Sequence, residues 1–445
     1  MFGDYEAQRH WMEITVNLPV KDWYRNSSVN DLGYWGLDYP PLTAYQSYFH
    51  GILLKFFDPA SVSLFTSRGY ESYIGALFHN CLLLWKTTGD RINMAWHTLM
   101  ILLNPCIILI DHGHFQYNCI SLGLTLAAVA AILSDRDLVG SMLFCLALNH
   151  KQMSAYYAPA FFGYLLGKSL RRKNPILEVL KLGFVVLGTF ALVWWPYLHS
   201  MDASLEVHSC VIVLPGSFSL SPFERGIYED YVANFWCATS VVVKWKRLFS
   251  TQLLKLLSLT ATVSACIPSM IQLMWSPTKR GLLQGLLNCS LSFYLFSFQV
   301  HEKSILLPLL PASFLALEEP FIFSWLMYNA LLSMFPLLRR DGLVLPYAAL
   351  YGLFILLYHA PGVRKDARKP DFYSSFLEFS AFACSLFLHI IYLTITPPDK
   401  YPFLFEAVIM IFCFSQFVLS SIYLNTKQWA LSKFSTQVDA RKKSL

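Results

Sequence analysis

Long apolar runs separated by short polar stretches govern what this chain can become. A helix needs about 20 mostly apolar residues, and roughly 17 at the least, to cross the hydrocarbon core of a bilayer. Runs of that kind occupy 93–110, 119–134, 176–198, 252–275, 281–299, 320–338, 343–360, 375–396 and 402–424. Shorter runs at 73–85, 138–149, 154–167 and 304–317 read as short spans or as re-entrant segments. Lipid offers no partner to unpaired backbone groups, so open β-structure is excluded at that depth and the spans are helical. The expectation is an all-α polytopic membrane protein with about twelve or thirteen crossings. Charge content agrees: 14% of the 445 residues are charged and 55% are hydrophobic, where soluble domains carry about 25% charged residues.

The formal net charge of +6 sits in short clusters between apolar runs. No continuous basic face is present, so nucleic acid is not an expected partner. Such clusters orient a membrane protein, because cytoplasmic loops are enriched in Lys and Arg. Four of them are Lys168 with Arg171, Arg172 and Lys173; Lys279 with Arg280; Arg364 with Lys365, Arg368 and Lys369; and the tail residues Lys427, Lys433, Arg441, Lys442 and Lys443. Counting every run as a span puts all four on one side, which is then cytoplasmic. Arg339-Arg340 falls on the other side. The remaining loops, 1–72, 111–118, 199–251, 300–303 and 397–401, become non-cytoplasmic. Lys442-Lys443 near the C-terminus resembles a di-lysine retrieval signal of endoplasmic-reticulum proteins. One membrane domain over 1–445 is expected, with 1–72 as an N-terminal loop, a bundle over 73–424 and a cytosolic tail over 425–445.

The polar segments lie at span ends on the non-cytoplasmic side. In GDYEAQRHW, Asp4, Glu6, Arg9 and His10 crowd into one short stretch. Carboxylates close to a bilayer suit general-base work, since desolvation raises their pKa toward the working range. From pattern alone the favoured reading is an amphipathic helix with solvated charges. YWGLDYPPLT carries Asp38, with Pro40 and Pro41 forcing an extended or turned backbone; its aromatics fit an interfacial belt or a sugar face. DHGHFQYN carries Asp111, His112 and His114. Asp-x-x-His is half of a metal site, but no third ligand is identifiable, and hydrogen-bonded polar residues bordering a cavity are favoured. Asn149-His150-Lys151-Gln152 closes another span on the same side. Arg225, in ERGIYEDY, is a candidate anion clamp; the alternative is a surface pair with Glu229 or Asp230. His301, Glu302 and Lys303 stand between two apolar stretches, where His and Lys can meet a lipid phosphate or Lys303 can snorkel. The ten cysteines include no C-x-x-C. Cys210 and Cys237 flank one polar loop and can pair in an oxidising lumen, as the minority reading.

Taken in order, GDYEAQRHWMEIT, YWGLDYPPLTAY, LIDHGHFQYN, KQMSAYYAP, RGIYEDYVANFWC and FSFQVHEKSILLPLLP resemble the endoplasmic-reticulum glucosyltransferases that use dolichyl-phosphate glucose, most closely those adding the first glucose to the lipid-linked oligosaccharide. The resemblance implies a GT-C fold with lumenal loops carrying the site. It also implies inverting transfer of glucose from dolichyl-phosphate glucose to a terminal mannose of the dolichyl-diphosphate-linked oligosaccharide, in α-1,3 linkage. Asp4 matches the family's general base, and His301 the histidine placed near the donor phosphate. Asp38, Asp111, His112, His114, Arg225 and Glu6 are further positions expected to line the site. No cofactor and no metal are implied, although Asp4 and Glu6 form a D-x-E pattern like that of metal-binding relatives. Asn26-Ser27-Ser28 is a glycosylation acceptor pattern in a lumenal loop. Asn288-Cys289-Ser290 fits the same pattern but is expected to be buried.

The family pattern has a transmembrane helix before its first lumenal loop, and this sequence opens directly on that loop, with no signal peptide. An incomplete gene product or an isoform is the expectation. Two other classes stay open: a lipid or sugar transporter, which would place polar residues near span centres and show repeat symmetry, and an inactive truncated form acting as a binding subunit.

Overall fold

The computed structural model describes residues 3–68, 100–114, 116, 118–197, 231–298, 300–359 and 372–443. Every regular element among them is helical. In chain order the main helices are α1 (Gly3–Asn17), α2 (Pro41–Phe57), α3 (Asn118–Leu133), α4 (Asp137–His150), α5 (Ala158–Ser169), α6 (Pro175–Trp194), α7 (Thr251–Trp275), α8 (Lys279–Phe296), α9 (Leu306–Phe314), α10 (Pro320–Arg340), α11 (Val344–Tyr358), α12 (Phe372–Thr394) and α13 (Leu404–Lys443). Most of the expected apolar runs fall on these helices to within a few residues, but α13 continues past 424 to Lys443, and the described part of 93–110 lies in the separate helical stretch Met100–Gly113. The run at 73–85, the start of 93–110, the cluster Arg364–Lys369, Arg225 and Cys210 lie outside the described residues.

Among the described residues, four segments are long and apolar enough to cross a membrane: Pro175–Tyr197, Thr251–Trp275, Pro320–Arg340 and Leu404–Ala430. On α6, Leu180, Phe184, Leu187 and Leu192 are largely exposed. In water such a face would be an association surface; in lipid it is ordinary. Local chemistry sets the ends. Pro41 opens α2 after an extended Pro40, where a missing N–H costs nothing. The Ser250 and Thr278 side chains accept from the Leu253 and Gly281 N–H groups at the starts of α7 and α8.

The chain divides into two compact units. The first comprises Met1–Lys86, Ile110–Ala155 and Asn174–Glu224. Here α1 is buried on two faces. Ala7, Trp11 and Ile14 pack with Trp23, Tyr24, Leu37, Ala44 and Tyr197. On the opposite face Glu6, Arg9, His10 and Glu13 are also buried, which overturns the expectation of solvated charges. The reason is that partners arrive from elsewhere in the unit. Arg9 Nη2 lies 2.6 Å from Glu6 Oε1 and 2.8 Å from Glu13 Oε2. Arg9 also donates to the Ser67 hydroxyl. Glu13 accepts from the Phe65 N–H at 2.7 Å and lies 3.1 Å from His10 Nδ1.

The second unit comprises Thr87–Leu109, Tyr156–Lys173 and Arg225–Leu445. Its helices α5, α7 and α8 approach closely through glycine: a Cβ on Gly167 would sit 2.7 Å from the Met274 Cα and carbonyl oxygen. Gln428 ties α13 to α7 and α8 through Ser269, Gln272 and Asn288, and Asn288 is buried as expected. The 21 residues of α10 span about 31 Å, close to the roughly 30 Å hydrocarbon thickness. Charges gather at both of its ends. At the start, Glu319 meets Arg280 at 3.0 Å and also meets Lys427. Arg171 reaches the Met274 carbonyl at 2.8 Å, at the end of α7 that leads to Lys279. At the far end, Arg340 meets Glu302 at 3.4 Å.

Burial pushes the Glu13 carboxyl up, but the hydrogen bonds from His10, Phe65 and Arg9 outweigh it and hold the pKa at about 2, below the ordinary 4.5. A depressed folded-state pKa adds stability that is complete above the unfolded value and is lost as pH falls toward the folded one. The melting temperature of the detergent-purified protein is therefore expected to fall from about pH 4.5 downward. Glu13→Gln is expected to melt lower at pH 7 and to show a flatter acid limb. Identical acid limbs would show that Glu13 does not carry this dependence.

Candidate functional site

In the first unit the separate polar motifs form one connected network. It begins on α1, which carries Asp4 in its first turn. Trp11 Nε1 donates to the Trp35 carbonyl at 3.1 Å, and the Tyr34 hydroxyl donates to Glu6 Oε1 at 2.8 Å. His10 meets the Tyr34 ring edge-on at 5.1 Å, and Trp11 meets Tyr39 in the same way at 5.1 Å. The YWGLDYPP loop is thus fastened to α1 at four points. Its turn requires glycine, because a Cβ on Gly36 would stand 2.8 Å from the Leu32 Cα and carbonyl oxygen.

Tyr39 carries the network onward. Its carbonyl accepts from the Tyr24 hydroxyl at 2.7 Å, and its ring lies 4.8 Å from Lys151 Nζ, within cation–π range. Lys151 is only 3% exposed and donates to Gln116 Oε1 at 3.0 Å and Asn118 Oδ1 at 2.6 Å. Asn118 in turn donates to Asp111 Oδ1 at 2.8 Å, and the Cys119 N–H donates to Asp111 Oδ2. Asp111 lies in a π-helical segment, Ile108–Gly113. Such widened turns occur often at functional sites. The end of α4 is held from the other direction: His150 meets Thr43 and Gln46 of α2, and Asn149 accepts from Trp194 Nε1 at 2.6 Å.

A second group of motifs assembles within the second unit. Trp236 Nε1 donates to the Phe296 carbonyl at 2.7 Å, locking the VANFW stretch to the end of α8 just before His301. The Asn234 side chain caps the turn that carries Trp236 by accepting from the Cys237 N–H at 2.8 Å. Tyr157, from KQMSAYYAP, donates to the Leu307 carbonyl at 2.6 Å, and Tyr156 lies on Phe293 at 5.0 Å. His301 is half-buried, Glu302 is buried, and a 3₁₀ turn over Glu302–Ile305 leads into α9.

The expected site residues fall in both units. Asp4, Glu6, Asp38 and Asp111 belong to the first unit, as do the exposed His112 and the half-buried His114. Both Glu6 oxygens hold Arg9, at 2.9 and 2.6 Å, which makes Glu6 a structural anchor of α1. Asp111 is buried and hydrogen-bonded at both oxygens, by Asn118 and the Cys119 N–H. Among the described residues no three His, Cys, Asp or Glu side chains gather as a metal site. His301 belongs to the second unit. Sequence reasoning passed over Lys151, Gln116 and Asn118 as the members that join these motifs. The only signal was their position at span ends next to motifs already singled out. It also treated Arg340 as a topological exception rather than as a neighbour of Glu302.

Comparison with known proteins puts these motifs in a family. The profile of the ALG6, ALG8 glycosyltransferase family matches residues 1–423. The chain is 57% identical to an Arabidopsis thaliana protein named "Probable dolichyl pyrophosphate Man9GlcNAc2 alpha-1,3-glucosyltransferase", over 100% of this chain and 87% of the relative. It is 39% identical to the Gallus gallus dolichyl pyrophosphate Man9GlcNAc2 alpha-1,3-glucosyltransferase, over 96% of this chain and 90% of the relative. The Saccharomyces cerevisiae protein of that name is 38% identical, over 95% and 86%. With its motifs assembled in two polar networks and similarity running along its length, this chain belongs to the ALG6, ALG8 glycosyltransferase family.

Proposed function

We propose that this chain is an inverting α-1,3-glucosyltransferase of the endoplasmic-reticulum membrane. It moves glucose from dolichyl-phosphate glucose to a terminal mannose of Man9GlcNAc2 on dolichyl diphosphate. The observation that carries the reading is the whole-length similarity to relatives named as alpha-1,3-glucosyltransferases of dolichyl pyrophosphate Man9GlcNAc2. The transporter and inactive-subunit readings have no comparable support.

The chemistry is a single displacement. The mannose 3-hydroxyl attacks C1 of glucose from the face opposite the phosphate, its proton passes to Asp4, and the C1–O bond breaks with its electron pair going to the phosphate. One carboxylate suffices, and inversion of a β-linked donor gives the α-linked product. A phosphate monoester is a stable leaving group, so neither a cofactor nor a metal is required. His301 contacts the donor phosphate. Asp38, Asp111, His112 and His114 line the substrate site, and Arg225 is a further anion contact. The fold is of GT-C type with twelve or thirteen spans. The end of the second unit that holds Arg171, Arg280 and Lys427 faces the cytosol with the C-terminus, which the excess of basic residues there supports. The end that holds His301 faces the lumen.

Asp4→Asn is expected to lower kcat for transfer to a mannose-terminated lipid-linked acceptor by at least about a hundredfold; full activity would remove Asp4 as the base. Lys151→Met releases the Tyr39 loop from Gln116 and Asn118. We expect a loss of about a hundredfold in kcat with gel-filtration behaviour unchanged, and wild-type turnover would show that the loop needs no such anchor. Asn26 is exposed in the loop before Tyr34. If that loop is lumenal, an endoglycosidase shift will be seen in the microsomal protein and lost in Asn26→Gln. Identical endoglycosidase patterns in the two forms would contradict the assigned side.

A further inference from the structure

Arg339 and Arg340 stand at the end of α10 opposite the basic cluster around Glu319, where the positive-inside tendency disfavours cations. Arg339 has a structural reason to be there. Its Nη1 donates to the Tyr392 carbonyl at 2.6 Å, and its guanidinium lies 4.6 Å from the Tyr392 ring centre. Arg340 differs. Its side chain is 62% exposed, while its partner Glu302, 3.4 Å away, is 8% exposed. Glu302 directly follows His301, and the turn it begins packs against α10. A buried carboxylate thus tethers an outward guanidinium at the membrane boundary, next to the histidine assigned to the donor phosphate. Asp341 and Lys303 flank the pair in sequence, and Glu406 at this end accepts from the Tyr392 hydroxyl at 2.9 Å.

We propose that Arg340 is a phosphate-binding residue of the donor site, tethered by Glu302, that stabilises the charge appearing on the leaving phosphate. The inference rests on the reading of His301 as the donor-phosphate contact. In the transfer, the mannose O3–glucose C1 bond forms as the glucose C1–phosphate oxygen bond breaks. The electron pair stays on the phosphate, which goes from one formal negative charge to two, and the hydroxyl proton goes to Asp4. A planar guanidinium binds phosphate oxygens bidentately and favours the dianionic product over the monoanionic donor. It therefore contributes more in the transition state than in the ground state.

The test uses the full chain purified in a phosphate-free maltoside detergent, with a short-chain dolichyl-phosphate glucose and a lipid-linked Man9GlcNAc2 acceptor. Arg340→Gln is expected to lower kcat by about a hundredfold, raise the donor KM, weaken inhibition by dolichyl phosphate more than it raises that KM, and leave the acceptor KM unchanged. Arg340→Lys is expected to recover part of kcat, which a purely structural role would not produce, and it supplies the reading if the glutamine variant fails to fold. Unchanged kinetics would make Arg340 a surface ion pair and overturn the proposal. A change in the acceptor KM alone would assign the guanidinium to the acceptor diphosphate. An effect seen only in phospholipid vesicles would assign it to bulk headgroups. Both outcomes also overturn the proposal. His301→Gln separates the two readings: a normal donor KM in that variant beside a raised one in Arg340→Gln removes the histidine contact and leaves Arg340 in place.

Discussion

Arg9 lies between Glu6 and Glu13 with almost no access to solvent, and α1 depends on that arrangement. Burying an ion costs several kcal/mol even after relaxation, so such a group persists only where its hydrogen-bonding capacity is answered. Here Ser67, the Phe65 N–H, His10 and Tyr34 supply the answers. A helix anchored by charges on one face and by Trp11 and Ile14 on the other has little freedom to turn or slide. The residue proposed as the base, Asp4, begins that helix. The same anchoring reaches the YWGLDYPP loop, because Tyr34 and Tyr39 bind to α1, and passes through Lys151 to Asp111. A chain of satisfied polar contacts thus links residues more than a hundred positions apart in sequence.

The helices were largely legible because a bilayer leaves few choices. The runs 252–275 and 320–338 became Thr251–Trp275 and Pro320–Arg340. Even the ambiguous run at 138–149 became the helix Asp137–His150. Apolar composition reports directly on where backbone must be helical, so these boundaries follow from composition and caps. The polar site was legible as motifs but not as contacts. GDYEAQRHW gave four charged or titratable side chains at helical spacing, and that spacing cannot tell a solvated face from a buried one. The deciding partners, Phe65 and Ser67, lie more than fifty residues away. Lys151 was visible at a span end, yet its burial depends on Tyr39 in one segment and on Gln116 and Asn118 in another. Arg340 counted only as a charge on an unexpected side until Glu302 was found next to it.

The chemistry divides in the same way as the fold. The first unit holds the carboxylate proposed to take the proton. The second holds the histidine, and by inference the arginine, proposed to meet the phosphate. Neither set needs a covalent glucosyl intermediate, since a base and a stabilised leaving group complete one displacement. The most direct test of this account is the anomeric configuration of the product, read by nuclear magnetic resonance after transfer by the purified chain from a pure β-linked donor. Single displacement predicts an α-linked glucose on the mannose 3-hydroxyl. A β-linked product would require two displacements through a glucosylated enzyme and would contradict the account.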